Sequence, residues 1–280
     1  MSGHVFGGLW TQQKLDVLRD YLAFFTKALG GKQFKLIYID TFAGSGKCTI
    51  KQGPDGSRTI EGSESIALNV PRPFDEYFFI EARRKHVAAL RALKRAHPLG
   101  NKVQITHGDA SEYLASILSQ HDWNKSRGVL FLDPYGLQCT WQMVLQIAQT
   151  KALDVLFLVS VSSLARQAAT TAEKIDASKA AALDRFLGTS DWRAALYKPP
   201  ATRDLFDSGP QLIRDQGTDA IIQFVRERLE NVFPLVQPPV LLRSSKGAAL
   251  FALFFVVANP SQKARDLANK VSSTILSRLR

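Results

Sequence analysis

The stretch "KLIYIDTFAGSGK", Lys35 to Lys47, decides the fold prediction for this chain. An apolar run ends at the acid Asp40, and two glycines, Gly44 and Gly46, follow shortly after it. A buried strand that leads into a glycine-containing turn is typical of nucleotide-binding α/β folds. The stretch therefore predicts a ligand against the backbone at the carboxyl end of this strand, with a tight turn that binds nothing as the alternative.

Two phosphate-binding patterns do not fit this turn. A P-loop has the pattern G-x-x-x-x-G-K-[ST], but Thr41 stands five residues before Gly46 and Cys48 follows the lysine. A dinucleotide fingerprint needs a third glycine, and Thr49 occupies that position. A loop for S-adenosylmethionine fits better, because that cofactor has no phosphate. The acid Asp40 can bind its ammonium group but would repel a phosphate.

Apolar runs alternate with helical patterns along the rest of the chain. Four further runs predict strands: "EYFFIE", "KVQITHGDA", "GVLFLDPYG" and "LDVLFLVSV". Continuous apolar strands separated by helices indicate a parallel sheet with both faces covered. Near the end, "VLLRSS" and "ALFALFFVVAN" flank a turn and predict an antiparallel hairpin. We therefore predict an α/β, Rossmann-like fold of the class I methyltransferase type, with a seven-stranded, mostly parallel sheet and a closing antiparallel hairpin.

We predict a single methyltransferase-like domain over residues 1–280. Its expected parts are an N-terminal helix over 10–30, a cofactor-binding core over 34–161, a helical insertion over 162–239, and a closing hairpin with a C-terminal helix over 240–280. The polar segment between Gly46 and Ser65 is predicted to overhang the cofactor as a lid or to reach for a substrate backbone, with a flexible insertion as the alternative.

Acidic residues follow the ends of the predicted strands. Glu81 ends the second strand, where a carboxylate can accept both hydroxyls of a ribose. Asp109 follows the third strand, where it can accept an adenine amino group, and Asp133 follows the fourth. As alternatives, Glu81 favours a helix dipole and Asp109 caps a helix. Because ligands bind at the carboxyl ends of strands in open α/β sheets, these acids predict one shared site.

The motif Asp133-Pro134-Tyr135-Gly136 resembles the D-P-P-Y of amino-methyltransferases. An exocyclic amine is a poor nucleophile because its lone pair is delocalised into the ring. Asp133 and the carbonyl of Pro134 can accept its N–H bonds, and Tyr135 can stack on the flipped base. These three are the predicted catalytic residues. One proline is missing relative to the pattern, so a strand-ending turn with a packed tyrosine is the alternative.

The motifs together resemble those of the three-Cys-motif partner (TcmP) family. They are "YIDTFAGSG", "GSESIAL", "YFFIE", "GDA", "FLDPYG", "DWRAALY" and "LFFVVANPSQKARDLANKV". Members of that family are methyltransferase-like proteins, usually paired with a separate iron–sulfur-type protein that carries three cysteines. The chain is also similar, more weakly, to bacterial ribosomal-RNA adenine-N6 methyltransferases with "YIDTHAGAG". It departs from the family after the fifth strand, where "LVSVSSLARQ" replaces the expected "FP" pair and polar glycine turn.

The resemblance implies that the chain binds S-adenosyl-L-methionine. It implies that Lys14 lies near the carboxylate of the cofactor and that Asp133 and Pro134 lie at the reacting amine. The cofactor-binding residues that we expect are Lys14, Asp40, Phe42, Gly44, Gly46, Glu81, Asp109 and Ala110.

The chain is strongly basic, with a formal charge of +11 and a pI near 9.7. Such a balance favours a polyanionic partner, and nucleic acid first. Arg84, Arg91 and Arg95 fall near one face of the helix after the second strand, and we expect them to follow a phosphate backbone. A solvated basic surface is the alternative.

Cysteine usage and hydropathy add three expectations. Cys48 and Cys139 make neither a disulfide framework nor a zinc site, so no metal is expected. The longest apolar run, Ala248 to Ala258, is too short for a transmembrane helix, so no membrane partner is expected. We expect a cytoplasmic protein.

These observations predict an S-adenosylmethionine-dependent methyltransferase that acts on nucleic acid, with an adenine exocyclic amine as the favoured target. A second hypothesis is a non-catalytic partner that uses the same fold to bind nucleic acid or a three-cysteine iron–sulfur-type protein. Methylation of a protein or a small molecule is a third, which the basic surface disfavours.

Overall fold

The computed structural model describes residues 8–52, 56–199, 212–214 and 217–278. In chain order the helices and strands are α1 (Leu9–Leu29), β1 (Lys35–Asp40), β2 (Lys47–Gln52), β3 (Gly56–Glu61), α2 (Ser63–Leu68), β4 (Glu76–Glu81), α3 (Arg84–Ala96), β5 (Val103–His107), α4 (Ala110–Gln120), β6 (Ser126–Leu132), α5 (Trp141–Gln149), β7 (Leu153–Ser160), α6 (Val161–Gln167), α7 (Ala177–Leu187), α8 (Trp192–Leu196), α9 (Asp219–Glu230), β8 (Leu235–Val236), β9 (Val240–Arg243), β10 (Ala249–Val257) and α10 (Gln262–Ser277). No described helix is long and apolar enough to cross a membrane.

The main sheet has the strand order β5-β4-β1-β6-β7-β10-β8, and β9 also pairs with β10. Strands β5, β4, β1, β6 and β7 run parallel. Strand β10 is antiparallel to β7, β8 and β9. The predicted α/β, Rossmann-like fold with a mostly parallel sheet and a closing antiparallel hairpin is confirmed, and the two-residue strand β8 adds to the seven predicted strands. The chain order reverses beside β1, which makes a switch point where open α/β sheets bind ligands.

Both faces of the sheet are covered by helices. On one face, Ile39 and Leu130 belong to a core that includes residues of α4 to α9. On the other face, Tyr38 and Phe79 belong to a core that includes residues of α1, α2, α3 and α10. Strands buried on both sides must be apolar at nearly every position, which explains the continuous apolar runs in the sequence.

The polar segment after β1 forms a two-stranded antiparallel hairpin, β2-β3. It was predicted as a lid or a contact to a substrate backbone, with a flexible insertion as the alternative. The structure shows regular strands on either side of residues 53–55, which lie outside the described residues. The hairpin starts at Gly46, whose φ of +81° is a conformation that favours glycine. The amide of Gly62 donates to the carbonyl of Gly46 at 2.9 Å and closes the base of the hairpin.

Helices α7 to α9 lie within the segment predicted as a helical insertion, and α6 begins one residue before it, at Val161. Residues 200–211 and 215–216 of that segment lie outside the described residues. The helices share the hydrophobic core of the sheet, since Leu164, Leu183, Trp192 and Ile221 all belong to it. These helices therefore pack directly on the sheet and border its carboxyl edge.

Candidate functional site

A cleft of about 380 Å³ lies at the carboxyl ends of β1, β4 and β5. It is lined by Thr41, Phe42, Ile80, Glu81, Ala82, Arg83, Gly108, Asp109, Ala110, Ser111, Tyr135, Gln138, Thr140 and Arg185. The lining includes four of the predicted cofactor-binding residues and one predicted catalytic residue, namely Phe42, Glu81, Asp109, Ala110 and Tyr135. The volume falls within the usual range for small-molecule sites, about 300–1,000 Å³.

Glu81 holds its carboxylate in a fixed position at the end of β4. Its Oε1 accepts a hydrogen bond from the amide of Arg83 at 2.7 Å, and its Oε2 lies 3.3 Å from Nδ1 of His86. The side chain is buried but lines the cleft. Each carboxylate oxygen can accept more than one hydrogen bond, so Glu81 can still receive hydroxyl groups from a ligand.

Asp109 caps helix α4, as its alternative role predicted. Its Oδ1 accepts from the amides of Ser111 at 2.8 Å and Glu112 at 3.3 Å. Both bonds use the same oxygen, and Oδ2 makes no hydrogen bond to another described residue. The cap therefore fixes the carboxylate and leaves one oxygen for a ligand in the cleft.

A pair of buried acids, Asp40 and Glu64, lies beside the cleft. Their exposed fractions are 0% and 1%. The hydroxyl of Tyr38 donates to Oδ2 of Asp40 at 3.4 Å, and that of Ser63 donates to Oε2 of Glu64 at 3.4 Å. The other oxygens, Asp40 Oδ1 and Glu64 Oε1, are buried and form no hydrogen bond among the described residues.

Burial sets the electrostatics of this pair. Loss of solvent raises the pKa of Asp40 well above its ordinary value, and the nearby Glu64 carboxylate raises it further. Loss of solvent also raises the pKa of Glu64, although the backbone amides of Gly44 and Gly46 approach its carboxylate and offset part of the rise. A buried carboxylate oxygen without a partner is costly. The pair therefore fits a cationic group.

Glu64 is a site residue that the sequence analysis did not identify. It stands in "GSESIAL", in the first turn of α2. The feature of the sequence that could have identified it is an acid among residues that pack into the core. Gly62 makes room for it, since a Cβ at that position would lie 2.6 Å from Glu64 Oε2 and 2.8 Å from the carbonyl carbon of Gly46. A Cβ on Gly44 would lie 3.8 Å from Glu64 Oε1, so the glycine turn after β1 surrounds this acid.

Lys14 of α1 forms an ion pair with Asp133 at the end of β6. Lys14 was predicted near the carboxylate of a cofactor, and that contact stays a prediction; in this structure its Nζ donates to Oδ2 of the predicted catalytic acid. Lys14 is nearly buried, with 9% of its side chain exposed, whereas 23% of the Asp133 side chain is exposed. The negative charge of Asp133 also raises the pKa of Asp40, so the ion pair of Lys14 and Asp133 lies near the buried acids.

Tyr135 lies at the mouth of the cleft with 48% of its surface exposed. The guanidinium of Arg83 lies 4.6 Å from the centroid of its ring, and Pro134 beside it is buried. Gly136 follows with a φ of +61°, so a side chain at this turn would be strained. The motif thus places a half-exposed aromatic ring in the lining of the cleft.

The three arginines predicted to contact nucleic acid lie on the exposed surface of α3. Arg84, Arg91 and Arg95 do not line the cleft, whereas the preceding residue Arg83 does. Their contact with nucleic acid stays a prediction.

Comparison with known proteins supports the fold. No protein-family model matches the chain, and no curated protein is significantly similar to it, so membership of the TcmP family is not shown. The structure is similar to that of a Legionella pneumophila protein that matches the DUF519 family model, with a TM-score of 0.56 and 13% identity over 98% of this chain and 93% of that chain.

Weaker similarities include enzymes. A spermidine synthase from Thermotoga maritima has a TM-score of 0.41 at 13% identity over 89% of this chain and 60% of that chain. A putative methyltransferase from Escherichia coli has a TM-score of 0.33 at 12% identity over 86% of each chain. Scores this low carry no conclusion about activity. What the comparisons show is the fold: a mixed α/β protein built on a mostly parallel central sheet.

Proposed function

We propose that the protein is an S-adenosylmethionine-dependent methyltransferase that acts on nucleic acid, with an adenine exocyclic amine as the favoured acceptor. The observation that supports the proposal most is the buried pair of unpartnered carboxylate oxygens, Asp40 Oδ1 and Glu64 Oε1. They lie at the carboxyl end of β1, next to a cleft that carries Glu81 and Asp109. An ammonium group at one end and a nucleoside at the other would match this arrangement.

The residues present fit such a cofactor in three parts. Asp40 and Glu64 would bind the ammonium group, because a cation relieves the cost of two buried acids. Glu81 would accept the ribose hydroxyls. Asp109 would accept the adenine amino group at its free Oδ2, beside Phe42, which also lines the cleft.

The acceptor side of the proposal rests on the motif after β6. The bound cofactor would supply an electrophilic methyl group on a sulfonium. Asp133 and the carbonyl of Pro134 would accept hydrogen bonds from the acceptor amine, and the exposed ring of Tyr135 would stack on its base. Lys14 must then release Asp133, and the carboxylate of the cofactor is a suitable new partner for it. The protein contributes mainly by positioning the two reactants and excluding water.

A methyl-transfer assay tests this proposal. Wild-type protein should move tritiated methyl groups from S-adenosylmethionine to DNA or RNA. The variant Asp133→Asn should bind the cofactor as well as wild type, with the transfer rate reduced about 10²-fold or more, because the acceptor amine loses its carboxylate partner. Asparagine is chosen because it keeps an oxygen that can accept a hydrogen bond from Lys14. Alanine would leave the nearly buried lysine without a partner. Equal transfer by both proteins, or no label on any nucleic acid, would contradict the proposal.

A specific observation favours a second candidate. Asp133 is occupied by Lys14, and the D-P-P-Y pattern lacks one proline. The chain would then be a non-catalytic member of the TcmP family that binds nucleic acid or a three-cysteine iron–sulfur-type protein. Co-purification with such a protein, together with cofactor binding but no methyl transfer by the complex, would support this candidate over the first.

A further inference from the structure

A second groove, of about 460 Å³, adjoins the cleft on the side of α6 and α7. Gln138 and Arg185 line both, so the groove and the cleft are continuous. Gly136 also lines the groove, and the preceding residue, Tyr135, lines the cleft. Two consecutive residues, Tyr135 and Gly136, therefore border the cleft and the groove.

The lining of this groove is cationic. Arg166, Lys179 and Arg185 line it, and no aspartate or glutamate among the described residues does. Arg166 donates from Nη2 to the hydroxyl of Ser163 at 3.0 Å, which orients the guanidinium without neutralising it. Lys179 has an acidic partner, Asp176, at 3.1 Å. Arg166 and Arg185 form no ion pair among the described residues, so positive charge remains for a ligand.

The acid on α7 does not offset this charge. Asp184 accepts from Nη1 of Arg193 at 2.9 Å and from Nε1 of Trp192 at 2.7 Å. The arginine holds the pKa of Asp184 below its usual value, so the carboxylate stays ionised within its own ion pair. The groove thus combines a lysine paired with Asp176 and two guanidinium groups that form no ion pair among the described residues. Asp184, the acid on α7, is already paired with Arg193.

We propose that this groove, which we call the basic groove, binds the sugar-phosphate backbone of a nucleic acid whose base lies at Tyr135. The inference deepens the proposed function and rests on it for the position of the base. Guanidinium groups form paired hydrogen bonds with phosphate oxygens, and the groove presents two of them. A nucleotide that stacks on Tyr135 would extend its backbone past Gly136, where the groove begins. This surface is separate from the α3 arginines, which line neither the cleft nor the groove.

Nucleic-acid binding by matched variants tests the basic groove. The probe is a fluorescently labelled single-stranded oligonucleotide, titrated by anisotropy at several KCl concentrations. The variant R166Q/K179Q removes two charges that line only the groove, and R91Q/R95Q removes two charges from α3. We expect R166Q/K179Q to bind about 10-fold or more weakly and to lower the salt slope by about 1.4, since each of the two lost phosphate contacts contributes about 0.7. If the basic groove, and not the α3 surface predicted from the sequence, binds the phosphates, the control should change affinity less than about 3-fold.

A charge-preserving variant distinguishes the loss of positive charge from a disturbance of the fold. R166K/K179R should keep most of the affinity if the groove binds phosphate through its cations. The proposal is overturned if R91Q/R95Q loses more affinity than R166Q/K179Q, if both lose equally, or if the wild type does not bind the oligonucleotide. Titration of R166Q/K179Q with S-adenosylhomocysteine distinguishes a failure of the basic-groove proposal from a failure of the methyltransferase proposal. Normal cofactor affinity with weak oligonucleotide binding supports the groove, whereas a wild type that binds oligonucleotide but no cofactor refutes only the methyltransferase function.

Discussion

Replacing Glu64 by glutamine should weaken cofactor binding without weakening the fold. Glu64 is buried beside Asp40, and burial raises the pKa of both acids. In the free protein the pair is therefore costly to ionise, and a neutral side chain of the same shape removes that cost. The free energy of unfolding of the variant should equal or exceed that of wild type.

The same substitution should cost affinity, because an ammonium group needs the carboxylate. A hydrogen bond to a charged group contributes about 1.5–3 kcal/mol, which corresponds to a dissociation constant about 10- to 150-fold higher. Proton release on binding gives a second signature. An entering cation lowers the raised pKa values of the pair, so binding near neutral pH should release up to about one proton, and affinity should increase as the pH rises.

Calorimetric titration with S-adenosylhomocysteine in phosphate and in Tris measures both effects. The heat of binding should depend on the buffer for wild type and depend on it less for Glu64→Gln. Glu61→Gln is the matched control, since Glu61 is exposed on β3 and contacts Arg19 at 3.3 Å. The reasoning is refuted if Glu64→Gln binds as tightly as wild type, or if it unfolds at a clearly lower temperature.

Four further substitutions test other parts of the structure. Gly31→Ala should lower the free energy of unfolding by about 1–2 kcal/mol, because φ is +88° and no atom lies within 4 Å of a Cβ there. Gly46→Ala should lower it by roughly 2–4 kcal/mol, because its Cβ would also lie 3.1 Å from Leu93. Equal losses for the two variants in urea denaturation would count against this reasoning. Burial raises the pKa of Asp154 from 3.8 to about 7, so the stability of the wild type should fall as the pH rises over that range. The stability of Asp154→Asn relative to wild type should therefore increase between pH 5 and pH 8. A stability difference that does not change with pH would contradict this prediction. Lys14→Met should raise the dissociation constant for the cofactor about 10-fold in the same titration, and an unchanged constant would remove Lys14 from the site.

The sheet could be predicted from the sequence because its parallel strands are buried on both faces. The runs "KLIYID" and "EYFFIE" have the same bounds as β1 and β4. Strand β8 has two residues, Leu235 and Val236, and so few positions show no periodicity. The hairpin β2-β3 is polar, and the described residues of β3 are mostly exposed, so apolar alternation did not reveal it.

The site was only partly predictable, because some of its contacts join distant parts of the chain. Glu81 and Asp109 follow their strands directly, and strand ends meet at one edge of a parallel sheet. Lys14 and Asp133 are 119 residues apart, and only the packing of α1 across the sheet brings them together. Glu64 lies in a short helix whose neighbours are core residues, so its apolar context hid its position beside Asp40.

The basic groove illustrates the same limit of local patterns. Arg84, Arg91 and Arg95 were predicted as a nucleic-acid surface because their spacing places them on one helix face. Arg166 and Arg185 belong to two different helices and meet only because α6 and α7 pack side by side. When charged residues come together through the packing of two helices, they show no regular spacing in the sequence, so sequence patterns do not reveal them.

Calorimetric titration of the wild-type protein with S-adenosylhomocysteine tests the central claim most directly. One binding site per chain is expected, accompanied by a higher unfolding temperature in the presence of the ligand. A titration without heat, together with an unfolding temperature that millimolar ligand does not change, would contradict the assignment of the cleft and its buried acids to this cofactor.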